Sequence, residues 1–254
     1  MLKAHKIAFS ALQKQILQPI NAVFETGKIY GVVGHNGSGK STFIKILGRQ
    51  LAPTMGKVIV DNEISTQLSQ RRFSQKIAYL PQHIPDAGNM TVYELVRLGR
   101  YAWHGSLGRY SKEDEAVVIN ALEKINILPF KNENVDSLSG GERQRVWIAM
   151  CLAQQCPYLL LDEPLSALDI NYQVEIMDLL RSLSRTMHVG IVIVLHDINL
   201  VARYCDEVLA FKGGRLIHHG HAESVIQENL LNEIYNMKFV ITSHPQTGKA
   251  VALP

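Results

Sequence analysis

The chain of 254 residues is short of cysteine, of long apolar runs and of surplus charge. Its three cysteines, Cys151, Cys156 and Cys205, are an odd number without metal-type spacing. That excludes a disulfide framework and predicts reduced, mostly buried thiols in a cytosolic protein. The longest apolar runs, such as "IVIVL" at 191–195, are too short to span a bilayer. The start, "MLKAHKIAFSALQKQ", lacks the apolar stretch of a secretory signal. Membrane association is therefore expected to run through a partner. With 26 basic against 23 acidic residues the net charge is +3. This balance argues against nucleic acid as a partner, yet does not oppose a position near an anionic membrane face.

The composition present, 46% hydrophobic and 19% charged, is that of a soluble globular protein. The length suffices for one large α/β domain or two small ones. Strand-like runs alternate with helical ones, which predicts a mainly parallel sheet covered by helices. "KIYGVV" (28–33) reads as a strand that feeds a helix from Gly39 to Gly48. "KVIV" (57–60), "KIAYL" (76–80), "YLLLD" (158–162) and "GIVIVLH" (190–196) are further strands, the last two buried on both faces. "EVLAFKGGRLIHHG" reads as a hairpin turned by Gly213-Gly214. Over 83–157 the pattern becomes helical, with Ser111 a plausible helix start. This predicts a helical insertion into a core made of 1–82 and 158–254.

Gly34, His35, Asn36, Gly37, Ser38, Gly39, Lys40, Ser41 and Thr42 fit the phosphate-loop pattern G-x-x-x-x-G-K-[ST], between a predicted strand and a predicted helix. In such a loop glycines let the backbone fold round phosphates, the lysine reaches the β and γ groups, and Ser41 offers a hydroxyl to Mg²⁺. Asp162 and Glu163 follow a buried strand at its C-terminal end, where open α/β sheets gather ligands. Asp162 is suited to hold Mg²⁺ and Glu163 to polarise a water for attack on a γ-phosphate. His196 closes the next strand, and its imidazole reaches the γ-phosphate side if the two strands are neighbours. Gln82 ends "KIAYLPQ", where its amide could meet Mg²⁺ or the attacking water. A second anion-attracting element is "LSGGERQR": Ser139 and Glu142 form a capping box that opens a helix, with Gly140 and Gly141 between them.

Phosphate loop (34–42), Gln82, LSGGERQR (138–145), YLLLDE (158–163), SALD (166–169) and His196 stand in the order found in the nucleotide-binding subunits of ABC transporters, which the chain resembles over essentially its whole length. The resemblance implies a P-loop NTPase core of mainly parallel sheet, an antiparallel β part and an inserted helical subdomain. It also implies ATP and Mg²⁺ as cofactors, with Asp169 among the nucleotide contacts. A head-to-tail dimer is implied as well, in which Ser139, Gly140, Gly141 and Glu142 face the γ-phosphate held by the second copy. Two features depart from the family pattern. Where an aromatic residue usually stacks on adenine, this chain offers Ala11 or Leu12, with Phe9 a little early. Leu165 replaces the usual threonine.

The segment "LGRYAWHGSLGRY" (98–110) lies in the region that meets the membrane subunit in such transporters. Tyr101, Trp103 and His104 are expected there as exposed aromatic contacts. This run, with "ARYCD" (202–206) and the stretch "LLNEIYNMKFV", is similar to importers of ferric siderophores, above all the iron-hydroxamate type. Cobalamin and haem importers are near relatives. The resemblance implies a peripheral position on the cytoplasmic face of the inner membrane, a polytopic permease as partner, and indirect dealings with a substrate-binding protein. A non-transport ABC ATPase is the rival reading. Only residues 83–137 separate Gln82 from Leu138, too few for the coiled coil of DNA-repair relatives. "HHGH" (218–221) is expected to be a surface hairpin with incidental histidines rather than a metal site.

Overall fold

A computed structural model of the chain describes residues 1–104, 109–166 and 168–254. Positions 105–108 of the expected permease-facing segment, and Ala167 of SALD, lie outside the described residues. The N-terminal strands β1 (Leu2–Ala11) and β2 (Lys14–Phe24) pair antiparallel. Leu12 and Gln13 turn between them, both at positive φ. Next, β3 (Ile29–Gly34) feeds α1 (Lys40–Leu47). The strands β4 (Met55–Val60) and β5 (Glu63–Ile64) join the first pair in a four-stranded antiparallel sheet ordered β2-β1-β4-β5. "KVIV" therefore belongs to this sheet and not to the parallel one.

After α2 (Gln70–Ser74) comes β6 (Ile77–Leu80), and then the helices α3 (Val92–Arg97), α4 (Tyr101–His104), α5 (Lys112–Lys124) and α6 (Gly140–Ala153). Among the described residues this stretch holds no strand, only a single bridge between Thr91 and Asn134. Thr91, Ser111 and Ser139 each cap a helix in a reciprocal box with the acid three residues on. The chain returns through β7 (Tyr158–Leu161), α7 (Ile170–Met187), β8 (Gly190–Val194), α8 (Ile198–Tyr204), β9 (Glu207–Lys212) and β10 (Arg215–His221). It ends in α9 (Glu228–Tyr235) and a separate hairpin of β11 (Val240–Ser243) and β12 (Ala250–Leu253).

The central sheet is ordered β10-β9-β3-β8-β7-β6. Its neighbours pair in parallel except β10, which runs antiparallel to β9. Alternate residues of each parallel strand enter opposite cores. Ile29, Leu159, Ile191 and Val208 meet the helical side, whereas Tyr30, Leu160, Val192 and Leu209 meet α1 and the antiparallel sheet. Both faces must be apolar, so these strands read as continuous runs without alternation. The parallel register matches Val32 with Val194, Ile193 with Leu161, and Leu161 with Leu80. The C-terminal ends of four strands thus lie side by side, and the loops leaving them emerge along one edge.

Candidate active site

That edge collects the loop 34–39 after β3, Gln82 just beyond β6, Asp162 and Glu163 after β7, and His196 after β8. Gly34, Gly37 and Gly39 all have positive φ, and a Cβ on Gly34 would sit 2.3 Å from the Phe211 carbonyl oxygen. No other residue fits the first turn of this loop. Gly39 caps α1 without a side-chain partner, so the first N–H groups of the helix are left to the loop. Lys40 is 4% exposed, and its Nζ donates to the carbonyls of Gly34 (2.8 Å) and His35 (3.1 Å). Burial pulls its pKa below the ordinary lysine value, against the opposing pull of the Glu163 and Asp162 carboxylates. Ser38 is fully buried, its Oγ without a partner among the described residues. His35 contacts the Asn36 carbonyl through Nδ1, Asn36 is exposed, and Ser41 and Thr42 are half-buried in the first turn of α1.

Asp162 is fully buried; its Oδ2 accepts a long hydrogen bond from the Tyr79 hydroxyl (3.5 Å), and its Oδ1 has no partner among the described residues. Burial raises its pKa, while the neighbouring Ser41 hydroxyl and the charge of Lys45 work the other way. A buried, orphaned carboxylate oxygen beside a serine hydroxyl is a hard-oxygen donor set that fits Mg²⁺. Glu163 holds a left-handed backbone, φ 51°, which a residue with a Cβ adopts at a cost of about 1–2 kcal/mol. Its Oε2 accepts from Gln82 Nε2 at 2.6 Å and lies 2.8 Å from His196 Nε2. Strain of this kind accumulates where a side chain must point in one direction. Tyr79 was not legible as a site residue, because in "KIAYL" it is simply one of the strand's apolar-looking positions.

The Ser139–Glu142 element stands apart. Ser139 Oγ donates to Glu142 Oε2 at 2.6 Å and accepts from the Glu142 N–H at 3.4 Å, and the Ser139 N–H reaches the same carboxylate at 3.0 Å. These bonds hold the Glu142 carboxyl below its ordinary pKa. Ser139 and Gly140 are exposed, and among the described residues no hydrogen bond joins 139–142 to the loop 34–42. Gly141 is buried against Tyr172, where a Cβ would come within 2.8 Å of the ring. Asp169 is exposed at the start of α7 and makes no side-chain cap.

Residues 17–166 match the ABC transporter family. The chain is an ABC transporter ATPase. The petrobactin import ATP-binding protein FpuD of Bacillus anthracis is 36% identical over all of this chain and 93% of its own length. The ferric enterobactin transport ATP-binding protein FepC of Escherichia coli is 32% identical over all of this chain and 93% of its own. The iron(3+)-hydroxamate import ATP-binding protein FhuC of Bacillus subtilis is 34% identical over 99% and 94%. Among solved structures, a chain of a metal-chelate type ABC transporter in an inward-facing conformation superposes with a TM-score of 0.85 at 25% identity, covering 100% of this chain and 97% of that one. A dimeric bacterial ABC transporter cassette gives 0.77 at 28% identity, with coverages of 87% and 99%.

One expectation for this ATPase is corrected by the structure. Tyr101 is exposed, but Trp103 and His104 fold back on their own chain. Trp103 Nε1 donates to the Gln154 carbonyl at 2.8 Å, and its own carbonyl accepts from Arg71. His104 Nε2 lies 2.7 Å from the buried carboxylate of Asp114, which also accepts from Arg100 Nε at 2.8 Å. A backbone carbonyl and a buried acid of the same subunit engage these two side chains before they can face a partner. At the adenine end, Leu12 is wholly exposed at its turn while Phe9 packs into the core that α1 shares with the antiparallel sheet. Among the histidines of "HHGH", His218 pairs with Ser224 (2.9 Å) and His219 with Glu207 (3.1 Å). No cluster of three metal-ligating side chains forms among the described residues.

Proposed function

We propose that the ATPase drives import of a ferric siderophore, and that its composite site is completed by a second copy of the chain. The observation that carries the hydrolytic part is the meeting of Glu163 with Gln82 and His196 at the edge where Lys40 and Asp162 emerge. In this reading the loop 34–42 wraps the ATP phosphates and Lys40 leaves the loop carbonyls for the β and γ groups. Glu163 takes the proton of the attacking water. His196 and Gln82 hold that carboxylate until ATP is bound, then release it and turn to the γ-phosphate and Mg²⁺. Ser41, Asp162 and Gln82 would hold Mg²⁺, which when bound neutralises phosphate charge. Ser139, Gly140, Gly141 and Glu142, already arranged as a helix start, would meet the γ-phosphate of the other copy, with Asp169 nearby.

The helical stretch 83–157 acts as a subdomain of a single 1–254 nucleotide-binding domain and presents its Tyr101 end to a membrane permease. The ATPase would thus sit on the cytoplasmic face of the membrane, and a substrate-binding protein would act through the permease. The siderophore assignment is supported by full-length likeness to ATPases named for petrobactin, enterobactin and iron(3+)-hydroxamate. Hydroxamate is the member that the "GRYAWHG" segment favours. The transported ligand never touches this subunit, so likeness is the only warrant. Deleting the gene and growing cells on single iron sources tests it. Selective loss of growth on a hydroxamate siderophore is expected; intact growth there, with loss on cobalamin or haem instead, overturns it.

A further inference from the structure

A cavity of about 700 Å³ lies away from the phosphate edge, between α7, α8 and the C-terminal hairpin β11–β12. Its size is that of a small-molecule pocket. Leu200, Ile226 and Val251 supply apolar wall, and Arg181, Arg203 and His244 supply polar wall. The other charges at its margin are already engaged. Lys249 pairs with Glu223 at 2.8 Å, and Asp197 Oδ1 accepts from the N–H groups of Asn199 (2.7 Å) and Leu200 (3.2 Å). Among the described residues neither guanidinium has a carboxylate within ion-pair reach: Arg203 lies over the Tyr204 ring at 5.0 Å, and Arg181 makes a long bond (3.4 Å) to the Arg203 carbonyl. His244 Nδ1 accepts from the backbone N–H groups of Gln246 (3.2 Å) and Thr247 (3.3 Å). A neutral His244 ring therefore carries its proton on Nε2 and has that N–H left to donate.

We infer that this cavity is an effector site for a small organic carboxylate with an apolar body. The guanidinium fork matches a carboxylate in shape and charge, and an aliphatic or aromatic body covers Leu200, Ile226 and Val251. The wall is held in place: Asn199 Nδ2 donates to the Ala252 carbonyl (3.0 Å) and Asn199 Oδ1 accepts from the Ala252 N–H (2.9 Å), strapping β12 to α8. The same helix begins directly after His196-Asp197. A ligand that braces the hairpin against α8 favours the arrangement in which His196 engages Glu163 Oε2. It disfavours one in which that carboxylate is free to take a proton from water. Occupancy slows hydrolysis, and by linkage nucleotide state alters the affinity for the effector.

The test uses 4-fluorobenzoate as probe, followed by fluorine NMR on the full chain, and does not depend on the transport assignment. Saturable binding is expected in the wild type and in Lys40→Ala. It should weaken at least tenfold both in Arg181→Ala/Arg203→Ala, at exposed positions, and in Val251→Trp, which fills the cavity. At saturation the probe should lower kcat for ATP at least twofold in the wild type and leave Val251→Trp unaffected. Absence of saturable binding, binding indifferent to Val251→Trp, or loss of binding in Lys40→Ala would overturn the site. A wild-type kcat unmoved by saturating probe would overturn the effector role.

Discussion

Glu163 concentrates the residue-scale chemistry. It sits in a strained backbone conformation with two partners on one oxygen, although nothing in "YLLLDEP" marks the position as left-handed, since neither glycine nor asparagine is there. The acid itself was legible from its place after a buried strand; the strain was not, because it is imposed by the turn out of β7. Replacing Glu163 by Gln should leave ATP binding intact and lower the hydrolysis rate by about 10²–10⁴-fold, the range of a general base. A steady-state phosphate-release assay beside a nucleotide-binding titration decides this. Lys40→Ala should instead remove both binding and turnover, because the cation buried inside the loop is lost with it.

At the scale of elements, the capping box at Ser139 and the helix start at Ser111 were legible in the sequence, the box at Thr91 went unread, and the buried strands showed as short branched runs. The antiparallel sheet was harder to read. Register shifts interrupt β1 at Ala4/Ile7, Ile7/Phe9 and Phe9/Ser10, so its apolar residues do not alternate evenly. The fold-back of Trp103 and His104 was hidden because Asp114, which binds His104, reads in sequence as one more acid of a helix start. Burial works against ionisation of Asp114, but hydrogen bonds from His104, Ser111 and Arg100 outweigh it and hold the carboxyl well below the ordinary range. A depressed folded pKa makes this acid stabilising above its unfolded value near pH 4, with the contribution lost as pH falls further. Asp114→Ala strands the 8%-exposed Arg100 and should cost about 3–5 kcal/mol in urea unfolding at neutral pH. The difference from wild type should shrink below pH 4. Ser139→Ala removes a helix cap and should cost about 0.5–2 kcal/mol in the same assay.

For the whole molecule, the parallel register explains why residues as distant in sequence as Gln82 and His196 converge on one carboxylate, and why the Ser139 element does not join them. That element is pre-built and solvent-facing at Ser139 and Gly140, as a surface awaiting a second copy should be. The composite site is the central claim. Its most direct measurement is sedimentation of the Glu163→Gln protein with Mg²⁺-ATP, alone and with Ser139→Arg added. The account predicts a species of twice the 28.4 kDa chain mass with ATP, reverting to monomer when Ser139 is replaced. A monomer in saturating ATP, or a dimer indifferent to Ser139→Arg, would contradict it.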